Sequence, residues 1–317
     1  MKASILQGDV PATSQITSGE LWMALPHSLK RLSELSLSSV TSQILLRPLS
    51  RYRLVKQSTI DFAQVAIQRD DFIKSNDMFN RLLARDHIAL VTLMENRKTG
   101  GRLIVANAYL LWDPAYRDVK LIQTGILMEI LKEIADWFAR YPPRPPSERE
   151  PDEDTSKRRP PDPTYSEGKD IPLIVCGDFN SIPESGVHDF LSKGHVSSNH
   201  PDFMEYTYGK FSADGLKHDF GLRSAYAGIG ELPLTNHTPS FDGVIDYIWH
   251  TTSTLAVNAV LGEIDQEYLS KVIGFPNAHF PSECVRSLSL WLSKLTPCIA
   301  TSASCRSSAS RIQHSHA

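Results

Sequence analysis

The run Ile171-Pro-Leu-Ile-Val-Cys-Gly-Asp-Phe-Asn180-Ser-Ile-Pro183 constrains the chain more than any other stretch. Four apolar residues, Leu173 to Cys176, sit between Pro172 and Gly177 and read as a strand buried on both faces. The strand empties into a turn that carries Asp178 and Asn180. A carboxylate and a carboxamide at the end of a buried strand suit a hard cation that prefers oxygen ligands. Gly177 allows close backbone approach. The same residues also fit an Asx-type turn in which Asp178 and Asn180 bond only to local backbone.

A second turn-then-strand unit is Phe241-Asp-Gly-Val-Ile-Asp-Tyr-Ile-Trp-His250. Asp246 lies there among apolar neighbours, where a carboxylate is costly unless paired, hydrogen-bonded or metal-bound. A structural Asp bonded to a loop would satisfy that requirement as well as a catalytic one.

Gly-Asp-Phe-Asn-Ser at 177–181 and Gly-Val-Ile-Asp-Tyr-Ile at 243–248 together resemble the endonuclease/exonuclease/phosphatase superfamily of metal-dependent phosphodiesterases. More closely, the chain resembles the catalytic domain of carbon-catabolite-repressor-type poly(A) deadenylases, especially fungal ones. Ile60-Asp-Phe-Ala-Gln, Asp77-Met-Phe-Asn-Arg81, Asp86-His-Ile-Ala-Leu-Val91, Trp112-Asp-Pro114, Asp118-Val-Lys-Leu-Ile-Gln123 and Ser181-Ile-Pro-Glu-Ser-Gly-Val187 carry that resemblance. It runs from about Tyr52 to Ser282, with an interruption near 141–170.

The resemblance implies an α/β fold of two packed mixed β-sheets flanked by helices, a four-layer sandwich incomplete at its termini. It also implies poly(A)-specific 3′-exoribonuclease action with Mg²⁺, for which Mn²⁺ substitutes. Phosphodiester hydrolysis needs an activated water and neutralisation of phosphate charge, which one or two Mg²⁺ ions supply with few protein ligands. By resemblance Asp178 and Asn180 belong to the metal and attacking-water site, and Asp246 to the same catalytic cluster. Substrate contacts fall to Phe241, stacking on an adenine, to Pro114, packing on a base, and to Asn236. Read without the family, Phe241 is a core aromatic and Pro114 a strand terminator. The implied partners are poly(A) RNA and a multisubunit deadenylase complex. No leucine-rich array for partner docking occurs in the sequence. A related nucleotide phosphatase or nuclease, or an inactive RNA-binding or interaction protein on the same fold, shares the central motifs.

Two departures bear on activity. Tyr109, in Asn107-Ala-Tyr-Leu-Leu-Trp-Asp-Pro, stands where the family places a His that supports the scissile phosphate. Tyr donates a hydrogen bond but carries no positive charge. The family's closing Ser-Asp-His is replaced by Ser282-Glu-Cys284, and no Gln-Glu strand in residues 1–50 matches its metal-binding Glu. His279, His314 and His316 match no catalytic position. These departures predict impaired activity.

The composition is that of a globular protein, with 41% hydrophobic and 22% charged residues. A formal charge of −3 gives no global attraction for a polyanion, so nucleic-acid binding has to rest on local cations, metal and stacking. Cys176, Cys284, Cys298 and Cys305 form no C-x-x-C pair and no zinc spacing, and Cys176 reads as a small core hydrophobe. No apolar run approaches a membrane span, and no signal core is found at the N-terminus. An intracellular, reduced protein of the cytoplasm, and also the nucleus, is expected.

Along the chain, residues 1–50 lack a stable period and are expected to be poorly ordered. The domain is placed at 51–282, with a Ser-rich tail at 283–317. Strands are predicted at Tyr52–Phe62, Ile88–Met94 and Arg102–Leu110, the last two joined by a Thr99-Gly-Gly101 turn. Spacings of three and four from Leu121 to Ile134 predict an amphipathic helix over 119–138. Tyr141 to Lys169 holds eight prolines and dense alternating charge, and is expected to be a disordered surface insertion. Paired strands are predicted at Phe241–Trp249 and Leu255–Val260, and short helices from Gly186 and over 268–273.

Overall fold

The computed structural model describes residues 51–151, 161–275 and 277–278. Strands β1 (Tyr52–Asp61), β2 (Ile88–Asn96), β3 (Arg102–Tyr109), β4 (Leu173–Asp178), β7 (Leu222–Ser224) and β10 (Asp246–Thr251) form one six-stranded sheet. Its spatial order is β1-β2-β3-β4-β10-β7. All neighbours are antiparallel except β3 and β4, which run parallel. The crossover between those two carries the 24-residue helix α2 (Arg117–Arg140), which follows the shorter α1 (Phe62–Gln68). Two ribbons complete the strands: β5 (His195–Val196) with β6 (Leu216–Lys217), and β8 (Asn236–Thr238) with β9 (Phe241–Gly243).

The continuous apolar run of β4 is buried on both sides because alternate residues serve different cores. Leu173 and Val175 join Ile104, Ala106, Tyr247 and Trp249 beneath α2. Ile174 and Cys176 join Val105 and Ile248 on the opposite face, beside Ala225, Tyr226 and Leu255. The predicted helix is therefore present, and it extends to 117–140. Its first half is buried all round, from Asp118 to Met128, including Lys120, Gln123 and Thr124. Simple amphipathicity does not account for that. The sheet packs on one side of this half, and Tyr208, Phe211 and Leu216 lie in the same core. α3 (Gly186–Lys193), capped by Ser185 and ended by left-handed Gly194, matches the short helix expected there.

The mixed sheet with flanking helices agrees with the expected α/β class. Beyond the six-stranded sheet, two two-stranded ribbons are formed among the described residues. The predicted strand at Leu255–Val260 is a correction. After β10 the chain turns, with Leu255 N donating to Thr251 O; Leu255 makes a single bridge, no strand follows over 256–260, and Leu255, Val257 and Val260 pack on the second core. The predicted strand over 241–249 is likewise interrupted, its first part pairing in the β8–β9 ribbon and only its second part in the main sheet. A short helix at Gln266–Leu269 overlaps the start of the expected 268–273.

The 141–170 insertion is also anchored at both flanks. Arg149 is buried, pairs with Asp162 at 2.6 Å and donates to Thr99 O. Arg102 N donates to the Tyr165 hydroxyl at 2.8 Å. Residues 152–160, and the sequence expectations for 1–50 and 279–317, lie outside the described residues. Among the described residues no helix is long and apolar enough to cross a membrane.

Candidate functional site

Register brings three predicted site residues abreast. Asp178 ends β4, opposite Tyr109 at the end of β3 and Asp246 at the start of β10. Residues level in adjacent strands stand about 5 Å apart, so one end of the sheet carries the Tyr109 phenol, the Asp178 carboxylate and the Asp246 carboxylate in a row, Asp178 in the middle. Gly177 makes this row compact. Its φ is +134°, and a Cβ there would lie 2.0 Å from Ala108 O. Only glycine fits.

The turn after β4 has both of the characters its sequence allowed. Asn180 N donates to Asp178 Oδ1 at 2.8 Å, which is the Asx-type bond. Asn180 itself adopts a left-handed φ of 46°, and its Nδ2 donates to Leu110 O at 2.9 Å. With Nδ2 committed there, Oδ1 is presented from the other side of the amide. Leu110 N in turn donates to Asp178 O, so the loop after β3 and the turn after β4 are laced together.

Two buried polar groups of α2 hold those same loops, and sequence reading had assigned neither a role. Lys120 Nζ donates to Asn180 O at 2.7 Å. Gln123 Oε1 accepts from Leu111 N at 3.2 Å. Burial lowers the Lys120 pKa to about 8, although Asp178, Asp113 and Asp202 favour its charge. Both side chains belong to the quoted Val-Lys-Leu-Ile-Gln run, and the signal was a lysine embedded among helix positions that proved buried.

His87 is a third residue the motifs did not identify. Its ring stacks on Tyr109 with centroids 5.4 Å apart and planes at 29°. Burial lowers its pKa to about 4, so the ring is neutral near pH 7.

Asp246 is fixed from the ribbon side. Thr235 Oγ1 accepts from both Ile245 N and Asp246 N, each at 3.0 Å, and Phe179 N donates to Ile245 O at 2.9 Å. Asn236 and Phe241 are carried on the β8–β9 ribbon that leads into Asp246, Asn236 pairing with Gly243 and Thr238 with Phe241. The Phe241 ring folds back against Gly243, and the residue is 38% exposed, so it is not the core aromatic that its type alone suggested. Pro114 is exposed in a single 3-10 turn over Pro114–Tyr116, capped by Asp113, on the loop leaving β3.

Asp178, Asn180 and Asp246 offer oxygen donors only, which is the chemistry a hard divalent cation requires. Among the described residues no group of three or more His, Cys, Asp or Glu converges on one point. Two carboxylates and one carboxamide are few ligands, which suits a cation that keeps several waters.

Residues 79–283 match the endonuclease/exonuclease/phosphatase family, and the chain belongs to that family. Members are in general dependent on divalent metal. The chain is 49% identical over 240 residues to the CCR4-Not complex 3′-5′-exoribonuclease subunit Ccr4 of Mycosarcoma maydis, a match covering 75% of this chain and 35% of that protein. The same-named subunit of Aspergillus terreus is 47% identical over 242 residues, covering 74% and 36%. The chain thus spans little more than a third of the length of these relatives. Among solved structures, ANGEL2, a 2′,3′-cyclic phosphatase in complex with adenosine-2′,3′-vanadate, superposes with a TM-score of 0.51 at 21% identity. That match covers 74% of this chain and 66% of ANGEL2, and it speaks to the fold.

Proposed function

We propose that the chain carries the catalytic centre of a 3′-5′ exoribonuclease acting on the adenylate tails of RNA, with Mg²⁺ as its metal and Mn²⁺ able to replace it. The observation that carries this reading is the register that sets Asp178, Tyr109 and Asp246 side by side, with Asn180 locked beside them. The naming of the fungal relatives as exoribonuclease subunits of a multisubunit complex supports it. Asp178 and Asn180 would hold the cation, with Asp246 beside them. When bound, the cation supplies Lewis-acid polarisation of the phosphate and lowers the pKa of water. The chain's own groups orient and screen. Asp246 is held by Thr235, Lys120 balances the charge of Asp178, and Phe241 and Pro114 flank the base of the terminal nucleotide.

A second reading rests on Tyr109. A neutral phenol stacked on a neutral imidazole leaves this position of the row without a cation, which suits binding of adenylate RNA with little turnover. One experiment separates the two. A 5′-labelled oligoadenylate is incubated with the chain and Mn²⁺, beside a mixed-sequence RNA and the Asp178→Ala variant. Stepwise 3′ shortening of the oligoadenylate that is lost in the variant supports the first reading. Retention without shortening supports the second. Shortening indifferent to Asp178→Ala overturns the proposed site.

A further inference from the structure

Trp112 is 64% exposed, whereas the other described tryptophans, Trp137 and Trp249, are 39% and 1% exposed. A lone exposed apolar side chain is ordinary, but the backbone that bears this one is not loose. Leu110 is bonded to both Asp178 and Asn180, and Leu111 N is held by Gln123. Asp113 is extended, with φ −65° and ψ 122°, and Pro114 follows two residues after Trp112 at the start of the 3-10 turn that Asp113 caps. An indole held out rigidly beside the terminal-base contact is a ready platform for a second base.

The segment from Arg85 to His87 borders the same loop. His87 stacks on Tyr109 at one end of it, and the Arg85 guanidinium lies 4.4 Å over the Tyr116 ring at the other. Arg85 Nε is buried and has no hydrogen-bond partner. Its neighbours Arg81 and Arg117 are already paired, with Asp118 and Asp202. Asp86 is exposed next to it, and Asp113 is engaged with Ala115 N at 2.8 Å. A cation over Tyr116, in the turn that follows Trp112, complements a phosphodiester.

We propose that Trp112 and Arg85 form a second nucleotide subsite. Trp112 stacks on the base preceding the one held by Pro114 and Phe241, and Arg85 meets the phosphate joining the two nucleotides. This rests on the adenylate-RNA reading above and adds that the site takes the end of a single strand, not a mononucleotide. Base stacking on an aromatic side chain tolerates any base, so this subsite contributes length preference and not adenine selectivity.

The test uses the full chain in EDTA, with fluorescein-labelled oligoadenylates of two to six residues and AMP as competitor. Trp112→Ala should weaken binding of the oligomers on the order of tenfold while leaving AMP competition unchanged. Trp112→Phe should restore most of the loss, and Arg85→Ala should reduce the salt dependence of oligomer binding. Intrinsic fluorescence should be quenched by unlabelled oligomer in the wild type and not in Trp112→Phe. Unchanged oligomer affinity in Trp112→Ala, with Phe241→Ala weakening both ligands, would overturn the subsite and leave the functional reading standing. Failure of the wild type to bind either ligand, both in EDTA and with Mn²⁺ added back, would remove both.

Discussion

Tyr109 stands on β3 next to Asp178, at one end of the row, and its ring shares a stack with His87. Replacing the phenol by a group that accepts a proton should assist a site that must neutralise phosphate charge. Tyr109→His is expected to raise the rate of oligoadenylate shortening by on the order of tenfold or more. A rate at or below wild type in that assay would contradict the assigned orientation of the row. His87 makes a separate prediction through pH. Burial lowers its pKa from 6.5 to about 4, so on acidification the unfolded chain takes up the proton first. The contribution of His87 to stability is present above pH 6.5 and is lost as pH falls from 6.5 toward 4. Urea titrations across this window should show His87→Phe losing less stability than wild type, and parallel losses would contradict the burial argument. Asp178, Asn180 and Asp246 were legible in the sequence because oxygen donors in turns next to apolar strands are conspicuous. Lys120 and Gln123 were not. Helical periodicity assigns such residues to a solvent face, and only the packing of α2 on the sheet shows that their polar ends reach the loops.

The β4 strand and its turn set the tolerance of the site to change. Gly177→Ala would place a methyl group against Ala108 O in a backbone conformation that L-residues avoid. It should cost roughly 2–4 kcal/mol of stability by chemical denaturation, and a loss within experimental error would show that the strand can shift. The ribbon feeding Asp246 depends on one hydroxyl, since Thr235 accepts from two backbone amides. Five of the six strands of the main sheet were legible from apolar runs and turn residues, and the three-residue β7 was not. The failures have specific causes. Leu255 and Val257 alternate as strand residues do, but the turn after Thr251 packs this segment on the second core of the sheet. The insertion looked disordered by composition because its anchors are a few residues, Arg149, Asp162 and Tyr165, amid many prolines and charges. Composition averages over such anchors.

At the scale of the molecule, two cores sandwich one sheet, and all the proposed chemistry gathers at one end of it. Outer strand β1 carries a bulge between Leu54 and Lys56 together with charged side chains, features that discourage edge-to-edge association. With a net charge of −3, little non-specific attraction draws RNA to the surface. About two phosphate contacts would give log K against log salt a slope near −1.4 for a single strand. A slope several times steeper, measured by anisotropy, would place binding on a surface other than this site. The central claim is that Asp178 anchors a divalent cation at the end of β4, and calorimetric titration with Mn²⁺ tests it most directly. The wild type should bind weakly, Asp178→Ala should abolish binding, and Cys176→Ala should leave it intact, because burial pushes that thiol up to about 12 and it faces the second core. Mn²⁺ affinity equal in the wild type and Asp178→Ala would contradict the account.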